Sequence, residues 1–505
     1  MRQLRNEAAH RQRRIIFNND GNDARMMCPT PTPEAMLELR TTPLLGSQVD
    51  SIFYCDTLSF NFLNHNSNIA EVCTEPVREE PQLAMNITGA LIEQGTDPLQ
   101  VMVEFCRGHD LEIFWSMRMN DIHDADISLM LPQYKRDHPE YLFGTPRQRP
   151  PYGAWSGVDF GQEPIRERAF LIIQEVCQEY DVDGVELDFM RSPVMFNSQA
   201  WGQPVTQDER DAMTEFVRRV YLMTDEEASK RGRPLLIAVR VPDSIGFCHA
   251  IGLDVERWLE EGLTDLLIVG GDFELSPLEE SVTLAHRHGV PIYASLHNEG
   301  RKPTPGRRAR SRPEAYRARA MNAWNAGVDG IHMFNLFTPL SPQWRELGDP
   351  QTLRKLDKVY YCNGTAGFSL ISTHLAEGDR FLRVPTLSPE YPMPLNPGER
   401  VVLPLAIGED VLWGKNQDIM PQLLLRLQVE GLAGAQDLSV TLNGHGLEGS
   451  IDEGGLAYVP NPEWVLRGTN EVEVVLAAGC APGPVLQDIQ LRVGYLEARE
   501  VTNER

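Results

Sequence analysis

The densest group of side chains that could carry chemistry lies in residues 183–191, with the sequence DGVELDFMR. Glu186 and Asp188 are two residues apart, so in a β-strand they point to the same side. At the end of a strand in a parallel barrel, that side faces the interior near the carboxyl-terminal rim. A carboxylate buried there is costly unless it has a partner or a task. We therefore take Glu186 and Asp188 as candidate catalytic residues.

Each carboxylate also has a purely structural interpretation. Arg240, at the end of the next predicted strand, is well placed to pair with Glu186, and Arg191 follows close behind Asp188. A buried ion pair without chemistry is the favoured interpretation for Glu186. The opposite holds for Asp188, because it lies at the rim before an insertion loop, where barrel enzymes place catalytic groups.

Polar residues follow most of the other predicted strands as well, and Asp272 and Glu274 follow the sixth. Their grouping at strand ends predicts a site at one face of the molecule. Any single one could equally be a helix cap or a solvated loop residue. We predict substrate contacts from Asn19, Asp20, Trp115, Arg118, Asp121, His123, Trp155, Arg191, Arg240, His297, Glu299 and Asn335.

The elements that position these residues alternate between β-rich runs and segments of helical period. This alternation predicts a parallel sheet covered by helices, and eight repeats in about 320 residues predict a (β/α)₈ TIM barrel. One such helix is predicted between Glu163 and Tyr180. The eight strands are predicted in RIIFNND, QVDSIFYC, LEIFWSM, VDGVELDF, PLLIAVRV, TDLLIVGG, VPIYASLH and VDGIHMFN.

Two long loops, residues 120–160 and 190–207, follow the third and fourth strands and are rich in aromatic residues. Trp155 and Trp201 could stack against sugar rings, or they could form a small core beneath the loops. Both interpretations are open at this stage.

Beyond residue 360 the helical period is replaced by alternating segments separated by Gly, Pro and Asn. This pattern predicts an all-β sandwich of the jelly-roll kind. The predicted domains are an N-terminal extension (1–13), the catalytic barrel (14–360) and the sandwich (361–505).

The composition excludes several classes of function. Lys and Arg total 47 against 72 for Asp and Glu, and the net charge of -25 disfavours nucleic acid and anionic membranes as partners. It also weighs slightly against uronic polymers, unless a local basic site overrides it. Eight scattered cysteines indicate reduced, mostly buried thiols, and no apolar run forms a signal-peptide core. We expect a cytoplasmic protein, or a secreted one if a leader was removed, and homo-oligomers are possible.

Three stretches, FWSMRMNDIHD, HPEYLFG and WSGVDFGQEPIRERAFLIIQEVCQEYDVDGVELDFMRSP, resemble the family-10-like hypothetical glycosyl hydrolases, barrel proteins found in bacteria. The resemblance implies a glycosidase that acts on an oligo- or polysaccharide. Met190 stands where chitinase-like barrels carry a Glu, which argues against a chitinase mechanism. The arrangement is more similar to the α-galactosidase clan, in which Asp188 would be the nucleophile and Asp272 the acid/base.

The leading hypothesis is therefore hydrolysis of an O-glycosidic bond by a carboxylate pair, without a cofactor. Carboxyl groups about 5 Å apart would predict retention of anomeric configuration, and about 6.5 to 9.5 Å inversion. The alternatives are a catalytically inactive carbohydrate-binding barrel, and a metal-dependent lyase or isomerase using a mixed site that includes His123, His297 and His332. No metal site has the tight spacing of a known motif.

Overall fold

The computed structural model describes residues 1–77, 80–81, 83–271, 273–297, 304–365, 368–417, 419–452, 455–480 and 483–495. Asp272 and Glu299 therefore lie outside the described residues. The chain forms two compact units. The first contains Met1–His297, Val328–Trp344 and Gly367–Arg383, and the second contains Asn298–Gly327, Arg345–Ala366 and Val384–Arg505.

The first unit contains a closed barrel of eight parallel strands, as predicted. All eight predicted strands are present, and the neighbour order around the barrel is β1-β8-β7-β6-β5-β4-β3-β2, which closes through pairing of β2 with β1. The strands are β1 (Ile15–Asn19), β2 (Val49–Tyr54), β3 (Glu112–Arg118), β4 (Gly184–Asp188), β5 (Leu236–Val241), β6 (Leu266–Val269), β7 (Ile292–Leu296) and β8 (Gly330–Phe334). A small sheet formed by Thr57–Leu58, Phe62–Leu63 and Glu71–Val72 follows β2.

Helices connect successive strands. The helix predicted between Glu163 and Tyr180 spans Glu163–Glu179, with Pro164 in its first turn and Ile172, Ile173 and Val176 buried. The longest described helix carries a capping box formed by Thr206 and Glu209. None of the described helices is long and apolar enough to cross a membrane. The α-helices are Arg2–Ala9, Pro33–Arg40, Thr88–Glu93, Pro98–Gly108, Gln133–Asp137, Glu163–Glu179, Asn197–Ala200, Gln207–Arg231, Ile245–Ala250, Val255–Glu260, Leu278–Arg287, Pro305–Arg310, Pro313–Ala326, Gln343–Glu346 and Pro350–Leu353.

The interior of the barrel changes from apolar to polar along the strands. A cluster of buried residues from β1, β2, β3, β5, β6 and β7 fills its middle. Positions of the same parity nearer the carboxyl ends are polar, which places Asn18, Ser116, Glu186, Arg240, Ser295 and His332 inside the barrel. The apolar cluster consists of Ile16, Phe53, Phe114, Leu236, Ala238, Leu266, Ile268 and Tyr293.

Residues 1–13, predicted as an N-terminal extension, pack against the barrel. Arg13 is fully buried and donates to Glu112, the first residue of β3, at 2.6 and 2.7 Å. Arg5, in the helix Arg2–Ala9, pairs with Asp265 just before β6 at 2.7 Å. Both acids lie at the amino ends of their strands, so this segment covers the end of the barrel opposite the candidate site.

The second unit contains two antiparallel sheets, and the predicted β-sandwich is confirmed. One sheet has the order β9-β18-β12-β16-β15, with β10 pairing to β18, and the other has the order β11-β17-β13-β14. Alternate side chains of both sheets form one apolar core, which also includes Ala318 of the helix Pro313–Ala326. The strands are β9 (Lys358–Tyr361), β10 (Met393–Pro394), β11 (Arg400–Ile407), β12 (Gln422–Glu430), β13 (Leu438–Leu442), β14 (His445–Leu447), β15 (Gly449–Asp452), β16 (Gly455–Tyr458), β17 (Gly468–Leu476) and β18 (Val485–Gly494).

The predicted domain boundary at residue 360 falls inside β9, which pairs with β18 of the sandwich. Two further segments depart from a simple division: the helix Pro313–Ala326 belongs to the second unit, and Gly367–Arg383 belongs to the first. The chain thus crosses between the units several times.

Candidate active site

Strand register brings Asp188, rather than Glu186, beside Arg240. Asp188 lies opposite Arg118 of β3 and Arg240 of β5, whereas Glu186 lies opposite Ser116 and Ala238. The Arg240 Nη1 group donates to Asp188 Oδ2 at 3.1 Å. The predicted pairing of Arg240 with Glu186 is therefore wrong, because Arg240 lies two residues further along β5 than Ala238, the residue opposite Glu186.

Asp188 is held from two sides at the carboxyl end of β4. Its Oδ1 accepts the backbone N–H groups of Met190 at 3.0 Å and Arg191 at 3.1 Å, and its Oδ2 accepts Arg240. The side chain is 1% exposed. The two backbone N–H groups and the arginine fix the orientation of this carboxyl group.

Glu186 lies one layer deeper, in a different environment. Its Oε2 accepts Ser116 Oγ at 2.5 Å and Asn18 Nδ2 at 3.3 Å, while Oε1 has no hydrogen-bond partner among the described residues. Burial, followed by the charge of Asp188, raises the pKa of Glu186 to about 8. Glu186 is thus protonated at neutral pH beside an ion-paired Asp188.

Arg240 reaches across the barrel interior. Its guanidinium carbon lies 3.8 Å from the ring centre of Phe334 on β8, and β5 and β8 are not neighbours. Gly271 permits this path, because a Cβ there would meet Arg240 Nη2 at 2.3 Å. The Nε and Nη2 groups of Arg240 are buried and have no hydrogen-bond partner in the described part of the chain.

His332 completes the deep layer from the opposite side. Its Nδ1 lies 3.0 Å from Ser295 Oγ, and its Nε2 lies 3.8 Å from Glu186 Oε1. Burial and then the charge of Arg240 lower the pKa of His332 well below its ordinary value, so the imidazole is neutral.

A chain of polar contacts links the rim residues that follow β3 and β4. Arg118 Nη1 donates to Asp121 Oδ2 at 3.4 Å, His123 Nδ1 lies 2.5 Å from Asp121 Oδ1, and Arg191 Nη2 lies 3.4 Å from His123 Nε2. Burial opposes ionisation of Asp121, but His123 and Arg118 hold its pKa well below the usual range. The structure thus brings together four residues that were predicted to contact substrate, namely Arg118, Asp121, His123 and Arg191.

Asn19 and Asp20 are occupied by contacts within the loop after β1. Arg40 Nη1 donates to Asp20 Oδ1 at 2.6 Å, and Asn19 Nδ2 donates to Asp23 Oδ2 at 2.8 Å. Although burial opposes it, Arg40 lowers the pKa of Asp20.

His297 and Asn335 mark the ends of β7 and β8. His297 is 9% exposed, and its Nδ1 lies 3.1 Å from the carbonyl oxygen of Phe334. Asn335 is half-buried and has a φ of 55°, a left-handed conformation that asparagine tolerates better than most residues. Asp272 and Glu299, the other two predicted residues at this face, lie outside the described residues.

The tryptophans predicted to contact substrate are largely buried in the protein. Trp115 alternates with the inward-facing Phe114, is fully buried, and donates to Asp56 Oδ1 at 2.8 Å. Trp155 is 7% exposed and donates to the carbonyl oxygen of Ala125 at 3.0 Å. Trp201 donates to the carbonyl oxygen of Phe143 and packs beside it. Trp115 and Trp155 are therefore packing residues, and the half-buried Trp201 packs against the small core of the loops.

Sequence reasoning missed Asn18, Ser116 and Ser295, and noted His332 only as a metal ligand candidate. The available signal was parity: each is a polar residue at an inward position of an otherwise apolar strand. In the part of the chain that the structure describes, no three His, Cys, Asp or Glu side chains are grouped to hold a metal ion.

No protein-family model and no curated protein sequence matches the chain. Its fold is similar to that of a Paenibacillus cycloisomaltooligosaccharide glucanotransferase (11% identity, 95% of this chain and 57% of that chain, TM-score 0.40). It is also similar to an Anoxybacillus α-amylase (11% identity, 94% and 99%, TM-score 0.38) and a Geobacillus stearothermophilus family 36 α-galactosidase (13% identity, 96% and 56%, TM-score 0.35). The chain spans about half the length of the first matched structures. The resemblance to the family-10-like hypothetical glycosyl hydrolases stays a prediction.

Proposed function

We propose that the chain is a glycoside hydrolase in which Asp188 is the carboxylate that acts at the anomeric carbon. The observation that carries the proposal is the placement of Asp188 at the carboxyl end of β4, facing the barrel interior and oriented by two backbone N–H groups and Arg240. This is the end of a (β/α)₈ barrel where catalytic residues are found.

Glycoside cleavage requires one ionised and one protonated carboxyl group. In the retaining route, the Asp188 carboxylate forms an ester bond to the anomeric carbon while an acid protonates the departing oxygen. Water then cleaves that ester, giving up a proton to the same acid/base group. In the inverting route, Asp188 instead removes a proton from the attacking water.

Two residues are candidates for the acid. Glu186 is supported by its raised pKa, which keeps a proton available at neutral pH. Asp272 is supported by the similarity to the α-galactosidase clan and by its place after β6. Amide variants of each, Glu186→Gln and Asp272→Asn, would separate them: loss of the acid impairs substrates with poor leaving groups far more than activated aryl glycosides.

A hydroxyl-rich ligand also suits the polar atoms of the interior. Buried polar groups are normally hydrogen-bonded. Several polar side-chain atoms inside the carboxyl end of the barrel nevertheless have no hydrogen-bond partner among the described residues. They are Asn18 Oδ1, Arg118 Nε, Glu186 Oε1, Arg240 Nε, Arg240 Nη2 and His332 Nε2. A purely structural ion-pair network would be expected to satisfy its own donors and acceptors.

The experiment is a screen of the purified chain against a broad panel of oligosaccharides and aryl glycosides, with product anomers followed by NMR. The proposal expects release of a reducing sugar, with one anomer formed first. Binding of sugars without turnover after long incubation would instead indicate an inactive carbohydrate-binding barrel. Turnover that depends on an added metal and forms an unsaturated or isomerised sugar would indicate the lyase or isomerase alternative.

A further inference from the structure

Two arginines flank Asp188 with donors that have no acceptor among the described residues. Arg118 and Arg240 lie on either side of Asp188 in strand register and share its inward parity. Arg240 uses Nη1 for Asp188, which leaves Nε and Nη2, and Arg118 uses Nη1 for Asp121, which leaves Nε. These three buried groups have no acceptor among the residues that the structure describes.

The unused groups of Arg240 have a specific geometry. The Nε–H and Nη2–H groups of a guanidinium lie side by side and point in the same direction, so they match the two oxygens of a carboxylate. Phe334 beneath the guanidinium plane and Gly271 beside Nη2 fix the orientation of this edge. Leaving charged donors unpaired in a buried site is costly, which favours an acceptor of matching shape.

The charges around these arginines also favour an anionic ligand. Arg118, Arg191 and Arg240 face the carboxyl groups of Asp121 and Asp188, whereas Glu186 is protonated at neutral pH. Asp20, also near Arg118, has Arg40 as its own partner. Among the side chains that the structure describes, the interior of the rim thus carries an excess of positive charge, inside a chain whose net charge is -25.

We propose that the sugar accepted at this site carries a carboxylate, as a uronic acid residue does, and that the Nε–Nη2 edge of Arg240 binds it with help from Arg118. The inference rests on the proposed glycoside hydrolase function and names its substrate class. Arg240 then contacts the substrate carboxylate with one edge and Asp188 with the other, which couples recognition of the sugar to orientation of the catalytic carboxylate.

The test measures binding by calorimetry with matched monosaccharides that differ only at C6: glucuronate against glucose, and galacturonate against galactose. At least one uronate is expected to bind the parent protein about tenfold or more tightly than its neutral counterpart, with the preference decreasing as salt is added. Equal binding of each pair would overturn the inference, as would equally tight binding of glucose 6-sulfate.

Lysine variants at three arginines localise the effect. Arg240→Lys keeps the charge but loses the two-pronged edge, and is expected to abolish the preference. Arg233→Lys, before the amino end of β5, is the matched control and is expected to retain it. If Arg240→Lys melts like the parent and still prefers the uronate, the assignment is overturned. If Arg240→Lys does not fold, Arg118→Lys takes its place and is expected to weaken the preference for the uronate.

Binding and turnover separate this inference from the proposed function. Uronate-selective binding with no cleavage of any uronide would contradict the hydrolase and leave the ligand assignment standing. Cleavage of neutral glycosides without uronate selectivity would contradict only the assignment.

Discussion

Glu186 and Asp188 illustrate how two carboxyl groups on one strand can lie in different environments. Asp188 receives two backbone N–H groups and an arginine, whereas Glu186 receives a hydroxyl and an amide in a buried layer next to a negative neighbour. The free energy that keeps Glu186 protonated is therefore supplied by burial and by the charge of Asp188.

This difference predicts a pH dependence of stability. Because the pKa of Glu186 is raised from 4.5 to about 8, its contribution is fully present below pH 4.5 and is lost as the pH rises through 8. Glu186→Gln, which cannot ionise, is expected to lose less stability than the parent between pH 5 and pH 9. Denaturant unfolding of both proteins across this range measures the difference; parallel curves would show that Glu186 is ionised in the folded protein.

At the residue scale, side-chain parity was predictable and pairing was not. Alternation along β4 correctly placed Glu186 and Asp188 inside the barrel. The partner of Arg240 depends on how far β5 is shifted against β4, and this register is set by packing around the whole barrel. For the same reason Asn18 and Ser116, distant in sequence from Glu186, were not predicted as its neighbours.

At the scale of elements, the first 13 residues close the amino-terminal end of the barrel. Arg13 is fully buried and is held by Glu112, by the carbonyl oxygens of Ala8 and Ala9, and by Tyr293. The sequence shows only an arginine-rich segment, because a buried arginine and an exposed one look alike until the partner is known.

Removal of the Arg13 side chain tests this role. Arg13→Ala leaves Glu112 buried without its partner and is expected to cost about 3 to 5 kcal/mol of unfolding free energy. Arg2→Ala, an exposed position in the same segment, is the control and is expected to change it by less than about 0.5 kcal/mol. Similar unfolding free energies for both variants would mean that the segment is dispensable.

The aromatic loops show a second limit of sequence at this scale. A loop whose tryptophans stack on a ligand and a loop whose tryptophans form a small core can have the same amino-acid composition. Only the path of the backbone distinguishes the two. The indole N–H groups of Trp155 and Trp201 are bonded to loop carbonyl oxygens, so the loops use them for their own packing.

At the scale of the whole molecule, the strand and helix pattern predicted both architectures correctly, but not how the chain divides between them. The helix Pro313–Ala326 lies between β7 and β8 in sequence and yet contributes Ala318 to the core of the second unit. Periodicity identifies elements one at a time and carries no information about which core each one joins.

This organisation predicts that a chain ending at residue 360 does not fold. Such a chain removes β18, the partner of β9, and leaves the buried Lys358 without Glu409, from which it lies 2.9 Å away. We expect aggregation or loss of a cooperative melting transition, measured by calorimetry. A chain ending at residue 495 keeps every described element and is expected to melt as the parent does; cooperative melting of the shorter chain would show a self-sufficient barrel.

The most direct test of the account is the turnover and melting of Asp188→Asn, using the best substrate from the oligosaccharide panel. The change keeps the shape of the side chain and removes its charge, so kcat is expected to decrease at least about a thousandfold, roughly 4 kcal/mol of barrier, while binding persists. If Asp188 only neutralised the buried Arg240, the main effect would be a loss of several kcal/mol of stability. A variant that melts like the parent and retains a comparable kcat would contradict the assignment of Asp188 as the catalytic carboxylate.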